Sequence, residues 1–255
     1  MRGRRTCVAR HARSTLESSL LWPRGYALSE QEVGDALAQA AVANIVSGML
    51  VGLGAGRTAA RGTKALSERV RDDNLDVRCV AASNATEALA RDLGLNLVDF
   101  AMVEEIDVLI DGADEVDRQM RIMKGSRGAM TRERMLAWAS RRRIFMVDQN
   151  KVSPKIGTFC SLPIALMAFG LSSTRRAIRE LGLNGVLRRD LDGKLFITDN
   201  GNLVLDVKLA GVEDLQTLAA ELNDLPGVID HGLFLTEADL ILIDHRGQLE
   251  VLERR

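Results

Sequence analysis

Proline is scarce in this chain and cysteine and histidine scarcer still: 4, 3 and 3 residues in 255. The cysteines Cys7, Cys79 and Cys160 are odd in number and lack CxxC spacing, and His11, His231 and His245 are scattered. That argues against a disulfide scaffold and against a His/Cys zinc site, and fits a reducing compartment. Neither charge is in excess. The 34 Lys and Arg face 35 Asp and Glu, so nothing global draws the chain to nucleic acid or to an anionic membrane, and any anion must be caught locally. Low-complexity and collagen-like compositions are missing too. With 46% hydrophobic and 27% charged residues the chain is an ordinary globular protein, large enough for one large domain or two smaller ones.

A membrane span is also lacking. The one uncharged stretch of sufficient length, 21 residues from Ala36 to Gly56, is nearly half Ala and Gly and is interrupted by Gln39, Asn44 and Ser47. We read it as a buried helix over 29–45, with Ser29 and Glu32 as its capping box, running into a strand over 49–53. Residues 1–27 carry six Arg against the single acid Glu17. That is the composition of an organelle transit peptide or of a disordered extension, and the extension is the reading carried forward, with a cytoplasmic location.

Further on, apolar or β-branched runs at 77–82, 97–100, 108–110 and 143–147 alternate with helical spacing at 86–93 and 131–140. Such alternation predicts a parallel sheet covered on both faces. Past residue 156 the pattern changes. A strand at 161–166 and a helix at 172–183 precede strands at 186–191 and 195–198, joined at Asp192-Gly193. After the turn Asn200-Gly201 come a strand at 203–208, a helix at 212–222 and an extended run at 227–234, close to the split βαβ of ferredoxin-like domains. The stretch 238–252 is expected to return to the first sheet. The predicted fold class is therefore α/β: a Rossmann-like parallel-sheet domain from 28–156 plus 230–255, with an inserted smaller α+β, ferredoxin-like domain at 157–229.

Three constellations carry chemistry. The first is the glycine run ending Gly54-Ala55-Gly56-Arg57-Thr58, directly after a strand and before an expected helix. Backbone N–H groups of such a loop close on a phosphate at the helix N-terminus. A dinucleotide would need an acid after the next strand to hold its ribose, and that strand ends Ala82-Ser83-Asn84. A phosphate or other small anion is therefore preferred, with a plain tight turn as the bland alternative. The second is Asp111-Gly-Ala-Asp114-Glu115, three carboxylates in five residues at the end of a buried strand. They are costly unless a ligand, a metal or protein donors answer them. Helix capping by Asp114 and a divalent-metal site are alternatives, and neither accounts for the whole cluster. The third is Lys124-Gly125-Ser126-Arg127-Gly128, with Glu133 in the first turns of the helix that follows. Alone, Glu133 between Arg132 and Arg134 reads as a solvated helix face.

In order along the chain, Gly-x-Gly-x-Gly-x-Thr (52–58), Asp-Gly-Ala-Asp-Glu-Val-Asp (111–117), Lys124-Gly125 with Arg132-Glu133, Thr-Asp-Asn-Gly-Asn-Leu-Val-Leu-Asp (198–206), Leu-Pro-Gly-Val (225–228) and His-Gly-Leu-Phe (231–234) together resemble type A ribose-5-phosphate isomerase. The similarity runs from about residue 29 to the C-terminus. It implies an aldose–ketose isomerase of the pentose phosphate pathway that needs neither metal nor cofactor, forms dimers or tetramers, and interconverts D-ribose 5-phosphate and D-ribulose 5-phosphate. By the match Glu133 is the base and Asp111, Asp114 and Lys124 are its companions. Ser83 and Thr86 fall in a loop near the substrate, and Lys151 at a phosphate contact. Moving a proton between adjacent carbons through an enediolate needs a base and an oxyanion stabiliser together. Lys124 and the N–H groups after it supply the second, while burial or Asp111 would raise Glu133 from about 4.3 toward about 6 to 7.

The departures from the family pattern lie where phosphate donors are expected. The family's loop hydroxyls are replaced by Ala55 and Arg57, a lysine of its first helix by Gly34, and its all-glycine loop after the lysine by Gly125-Ser126-Arg127-Gly128. A bidentate guanidinium from Arg57 replaces hydroxyls and charge together; Arg127 either narrows the pocket or faces away. Two other readings stay open: a sugar-phosphate sensor without turnover, and an isomerase whose Arg57 and Arg127 read a carboxylate or second phosphate on another sugar.

Overall fold

The computed structural model describes residues 35–254. Its first half runs α1 (Ala36–Val42), β1 (Leu50–Leu53), α2 (Arg57–Asp72), β2 (Arg78–Ala81), α3 (Asn84–Asp92), β3 (Asn96–Leu97), β4 (Ile106–Gly112), β5 (Glu115–Val116), β6 (Ile122–Met123), α4 (Met130–Ala139) and β7 (Ser140–Asp148). The second half runs β8 (Leu162–Leu166), α5 (Leu171–Glu180), β9 (Gly185–Leu187), β10 (Leu203–Val207), α6 (Leu215–Asp224), β11 (Val228–His231), β12 (Leu233–Phe234), β13 (Leu240–His245) and β14 (Gln248–Glu253).

The apolar runs become the inner strands of a seven-stranded sheet ordered β3-β2-β1-β4-β7-β13-β14. Every neighbouring pair is parallel except β13 with β14. All four residues of β1 are buried and nearly all of β4, as strands covered on both faces must be. The chain winds outward from β1 through β2 to β3, then crosses to β4 on the other side of β1. That reversal opens a crevice at the carboxyl ends of β1 and β4, where open α/β sheets bind ligands. The 238–252 stretch returns to this sheet as the β13–β14 hairpin.

The second sheet, β11-β8-β10-β9, is antiparallel throughout. With α5 and α6 it has the βαββαβ order of the ferredoxin-like pattern. Its Leu166, Leu205 and Leu222 share one core cluster with Ile178, while Ala165 and Val204 pack into the larger core with Leu109, Met130 and Phe145. A third sheet, β12-β6-β5, joins residues from both halves of the chain and had no counterpart in the sequence reading.

Several expected bounds shift for local reasons. The strand at 97–100 stops at Leu97, because Asp99 accepts from Ala101 N and opens a 3-10 turn, Phe100–Met102. The strands at 186–191 and 195–198 shrink to β9 plus isolated pairs, Arg189 with Leu195 and Ile197 with Leu203. The 212–222 helix starts at Leu215, where Asp214 caps Gln216 and Thr217. The run 227–234 divides between two sheets as β11 and β12. In the first helix Asp35 is the cap and the helix ends at Val42 rather than at 45. Ser29, Glu32, Gly34 and the extension at 1–27 lie outside the described residues. Among the described residues no helix is long and apolar enough to cross a membrane.

Candidate active site

The end of β4, the residue after β6 and the first turn of α4 meet in one buried cluster. Asp111, Lys124 and Glu133 are 0%, 2% and 3% exposed. Lys124 Nζ lies 2.8 Å from Asp111 Oδ2 and 3.0 Å from Glu133 Oε1, and donates to Gly112 O. Asp111 Oδ1 accepts from Gly112 N at 2.7 Å, and Oδ2 faces the Lys124 ammonium. One ammonium cannot answer two buried carboxylates fully. Burial pushes the Glu133 carboxyl up to about 8, against the pull of Lys124 and with the push of Asp111. Burial likewise raises Asp111, with Lys124 opposing. Burial works against the Lys124 charge, yet Asp111 and Glu133 hold it above the ordinary lysine value. The arrangement is a proton-poised carboxyl beside a fixed cation. Burial, more than Asp111, sets the level.

The remaining acids of 111–117 are answered by the protein. Asp114 accepts from Ser126 N at 2.8 Å and from Ser126 Oγ at 2.5 Å. Glu115 is fully buried and accepts from the backbone N–H groups of Gly157, Thr158 and Cys160. Asp117 pairs with Arg121 and with the N–H groups of its own turn. Glu115 and Asp117 are thus structural, and the cost of clustering is met by donors. Among the described residues no group of three His, Cys, Asp or Glu side chains is arranged to hold a metal ion.

Above this cluster, at the β1–β4 crevice, lies a cavity of about 380 Å³. Of the residues expected at the site, Ala55, Gly56, Arg57, Thr58, Asp114, Lys124, Gly125, Ser126, Arg127, Glu133 and Lys151 line it. Arg57 is the first residue of α2, so the helix N-terminus opens onto the cavity. Lys151 Nζ donates to Ala113 O at 2.6 Å and lies 3.3 Å from Thr58 Oγ1; burial holds its ammonium below the ordinary lysine value. Arg57 and Arg127 are exposed and pair with no carboxylate among the described residues. A Cβ on Gly56 would sit 4.0 Å from Arg127 Cγ, so the Arg127 stem lies alongside the glycine loop.

Gly54, Ser83, Thr86, Gly128 and Asp111 do not line the cavity. Gly54 is there for Asp111: a Cβ at residue 54 would fall 1.9 Å from Asp111 Oδ1. Ser83 caps α3 through Thr86 N, and its hydroxyl meets Thr86 Oγ1 at 2.9 Å. Thr86 Oγ1 donates to Gly54 O at 2.9 Å. Thr86 thus ties the start of α3 to the glycine loop, with Ser83 as the cap of that helix. The reading missed Arg61, Asp148, Asn150 and Cys160 in the lining. Arg61 stands one helical turn after Arg57, a spacing that signals a shared face; it is tied to Asp35 and Asp148. Nothing local marks Cys160.

Residues 78–247 match the family model for Ribose 5-phosphate isomerase A (phosphoriboisomerase A). The chain belongs to that family. Ribose-5-phosphate isomerase A of Chloroflexus aurantiacus is 44% identical over 78% of this chain and 83% of its own length. The protein of the same name from Thermomicrobium roseum is 41% identical over 85% and 92%. Among solved structures, ribose 5-phosphate isomerase A from Methanocaldococcus jannaschii superposes with a TM-score of 0.81 at 30% identity, covering 86% of this chain and 96% of that one. A D-ribose-5-phosphate isomerase in complex with phospho-erythronic acid gives 0.82 at 30% identity, with the same coverage. Within the ribose 5-phosphate isomerase A family, the parallel-sheet core with a smaller antiparallel sheet is therefore the shared fold.

Proposed function

We propose that this chain interconverts D-ribose 5-phosphate and D-ribulose 5-phosphate, an isomerisation of the pentose phosphate pathway, by proton transfer through an enediolate. The observation that carries the reading is the buried Glu133 carboxylate 3.0 Å from the Lys124 ammonium beneath a cavity rimmed by cations. The phosphate end of the sugar is taken at the N-terminus of α2, where Arg57, Thr58 and Lys151 supply donors and charge. With the ring open, Glu133 removes the proton from C2 and returns it to C1, while the hydroxyl proton of O2 passes to O1. The oxygen that gains charge meets Lys124 and the N–H groups that follow it. Asp111 fixes the ammonium and helps keep the Glu133 carboxyl basic enough to work near neutral pH. Asp114 accepts from sugar hydroxyls and assists ring opening. Every step uses protein groups, so activity without added metal is part of the proposal.

A sensor without turnover has no use for a sealed acid raised to about 8, and nothing in the geometry favours it. The catalytic domain is taken as 28–156 with 230–255 and the inserted one as 157–229; a homodimer or homotetramer and a cytoplasmic location rest on the family resemblance. The test is an isomerase assay of the purified chain in the presence of a chelator, over a panel of pentose and hexose phosphates. Turnover of ribose 5-phosphate is expected. Binding without turnover, or turnover only of another sugar, overturns the reading.

A further inference from the structure

The turn after Lys124 is gripped from two sides. Gly128 N donates to Gly125 O at 2.9 Å, closing Gly125–Gly128 on itself. On the cavity side Asp114 accepts from Ser126 N. On the far side Arg188, one residue beyond β9, donates from Nη1 to Gly125 O at 2.9 Å and to Ser126 O at 3.0 Å. The guanidinium is itself fixed: Nε donates to Asp206 Oδ2 at 2.9 Å and Nη2 to Oδ1 of the same carboxylate. It also stands 5.6 Å from the centroid of Phe196. Phe196 in turn fills the space beside Gly128, where a Cβ would meet its ring at 2.5 Å. The smaller sheet thus reaches into the Lys124 loop through one side chain.

In a trans peptide the carbonyl and the N–H point in opposite directions. With Gly125 O on Arg188, Ser126 N–H must face the other way, and it is found on Asp114, a cavity residue. The next peptide repeats the arrangement. Ser126 O is on the same guanidinium, so Arg127 N–H is turned toward the cavity, where it has no acceptor among the described residues. We propose that Arg188 is a positioning residue that aims the Arg127 N–H at the oxygen developing charge and, by polarising both peptides, makes it a stronger donor. This deepens the isomerase reading and rests on it.

The test compares the parent with Arg188→Gln and Arg188→Lys, following kcat and KM for ribose 5-phosphate, thermal midpoint, and calorimetric affinity for 4-phospho-D-erythronate. Arg188→Gln should lower kcat by about 10 to 100-fold while KM stays within about threefold. Affinity for the aldonate should fall by a similar factor. Arg188→Lys, which keeps charge without the fork, should fall between. Millimolar guanidinium should restore part of the activity of Arg188→Ala, which a loss of fold would not allow. If Arg188→Gln does not fold, Asp206→Asn carries the same comparison. Values within twofold of the parent at an unchanged midpoint, or losses that only track the unfolded fraction, overturn the assignment. A parent that neither binds the aldonate nor turns over ribose 5-phosphate sinks the isomerase reading and this inference with it; a competent parent with indifferent variants sinks this inference alone.

Discussion

Asp111 Oδ1 stands where a side chain on Gly54 would have to be, 1.9 Å from an ideal Cβ. The end of β1 and the end of β4 are therefore a matched pair, one giving up its side chain so that the other can bring a carboxylate to Lys124. Gly54→Ala should displace Asp111 and cost about 3 kcal/mol of stability, with a large fall in kcat. Urea unfolding together with the isomerase assay checks it; an alanine variant as stable and as active as the parent refutes the pairing.

Glu133→Gln should lower kcat by at least ~10²-fold without unfolding the protein. Because burial lifts the Glu133 carboxyl to about 8, kcat/KM of the parent should climb with pH through that region rather than near the ordinary glutamate value of 4.5. Linkage gives the matching sign for stability. The folded state holds a proton that the unfolded state releases, so this group stabilises below 4.5 and its contribution is lost as pH rises through about 8. Glu133→Gln should flatten that alkaline decline, measured as the urea midpoint against pH.

His231 behaves in the opposite sense. Burial, reinforced by Arg134, lowers it from 6.5 to about 4, and its Nδ1 accepts from Leu233 N at 3.2 Å. Its contribution to stability is present above 6.5 and is lost as pH falls toward 4. His231→Asn, which can keep the acceptor, should weaken the acid decline between those values. The neighbouring Asp230, also raised by burial, is titrated in the same series through Asp230→Asn so that the two contributions separate.

Arg57 opens α2 at the cavity with no carboxylate partner among the described residues. Arg57→Ala should raise KM for ribose 5-phosphate by about 10-fold or more and leave KM for unphosphorylated ribose little changed. Equal effects on both sugars would remove Arg57 from the phosphate end.

Much of the fold was legible because its signals are local. The apolar runs that became β1, β4 and β7, the glycines between β1 and α2, and the Asp190–Lys194 and Thr198–Asn202 turns announce themselves within a few residues. Glu133 was the opposite case. Between two arginines it reads as a surface acid, and α4 has almost no amphipathic stripe to correct the impression. Only its position against β4, with Lys124 and Asp111 below it, takes it out of water. Ser83 and Thr86 show both kinds of signal: the capping turn between them is local, whereas the bond from Thr86 Oγ1 to Gly54 O joins segments far apart in the chain.

The order of residues alone determined an α/β protein, the strand-then-glycine entrance to α2 and the resemblance to one isomerase family, since backbone propensity and short motifs are written in neighbouring positions. Which glycine yields to a carboxylate, which acid is sealed beside a cation and which arginine holds the loop were decided only in three dimensions. Desolvation and the direction of a peptide N–H belong to the space between segments far apart in the chain, where no local pattern records them.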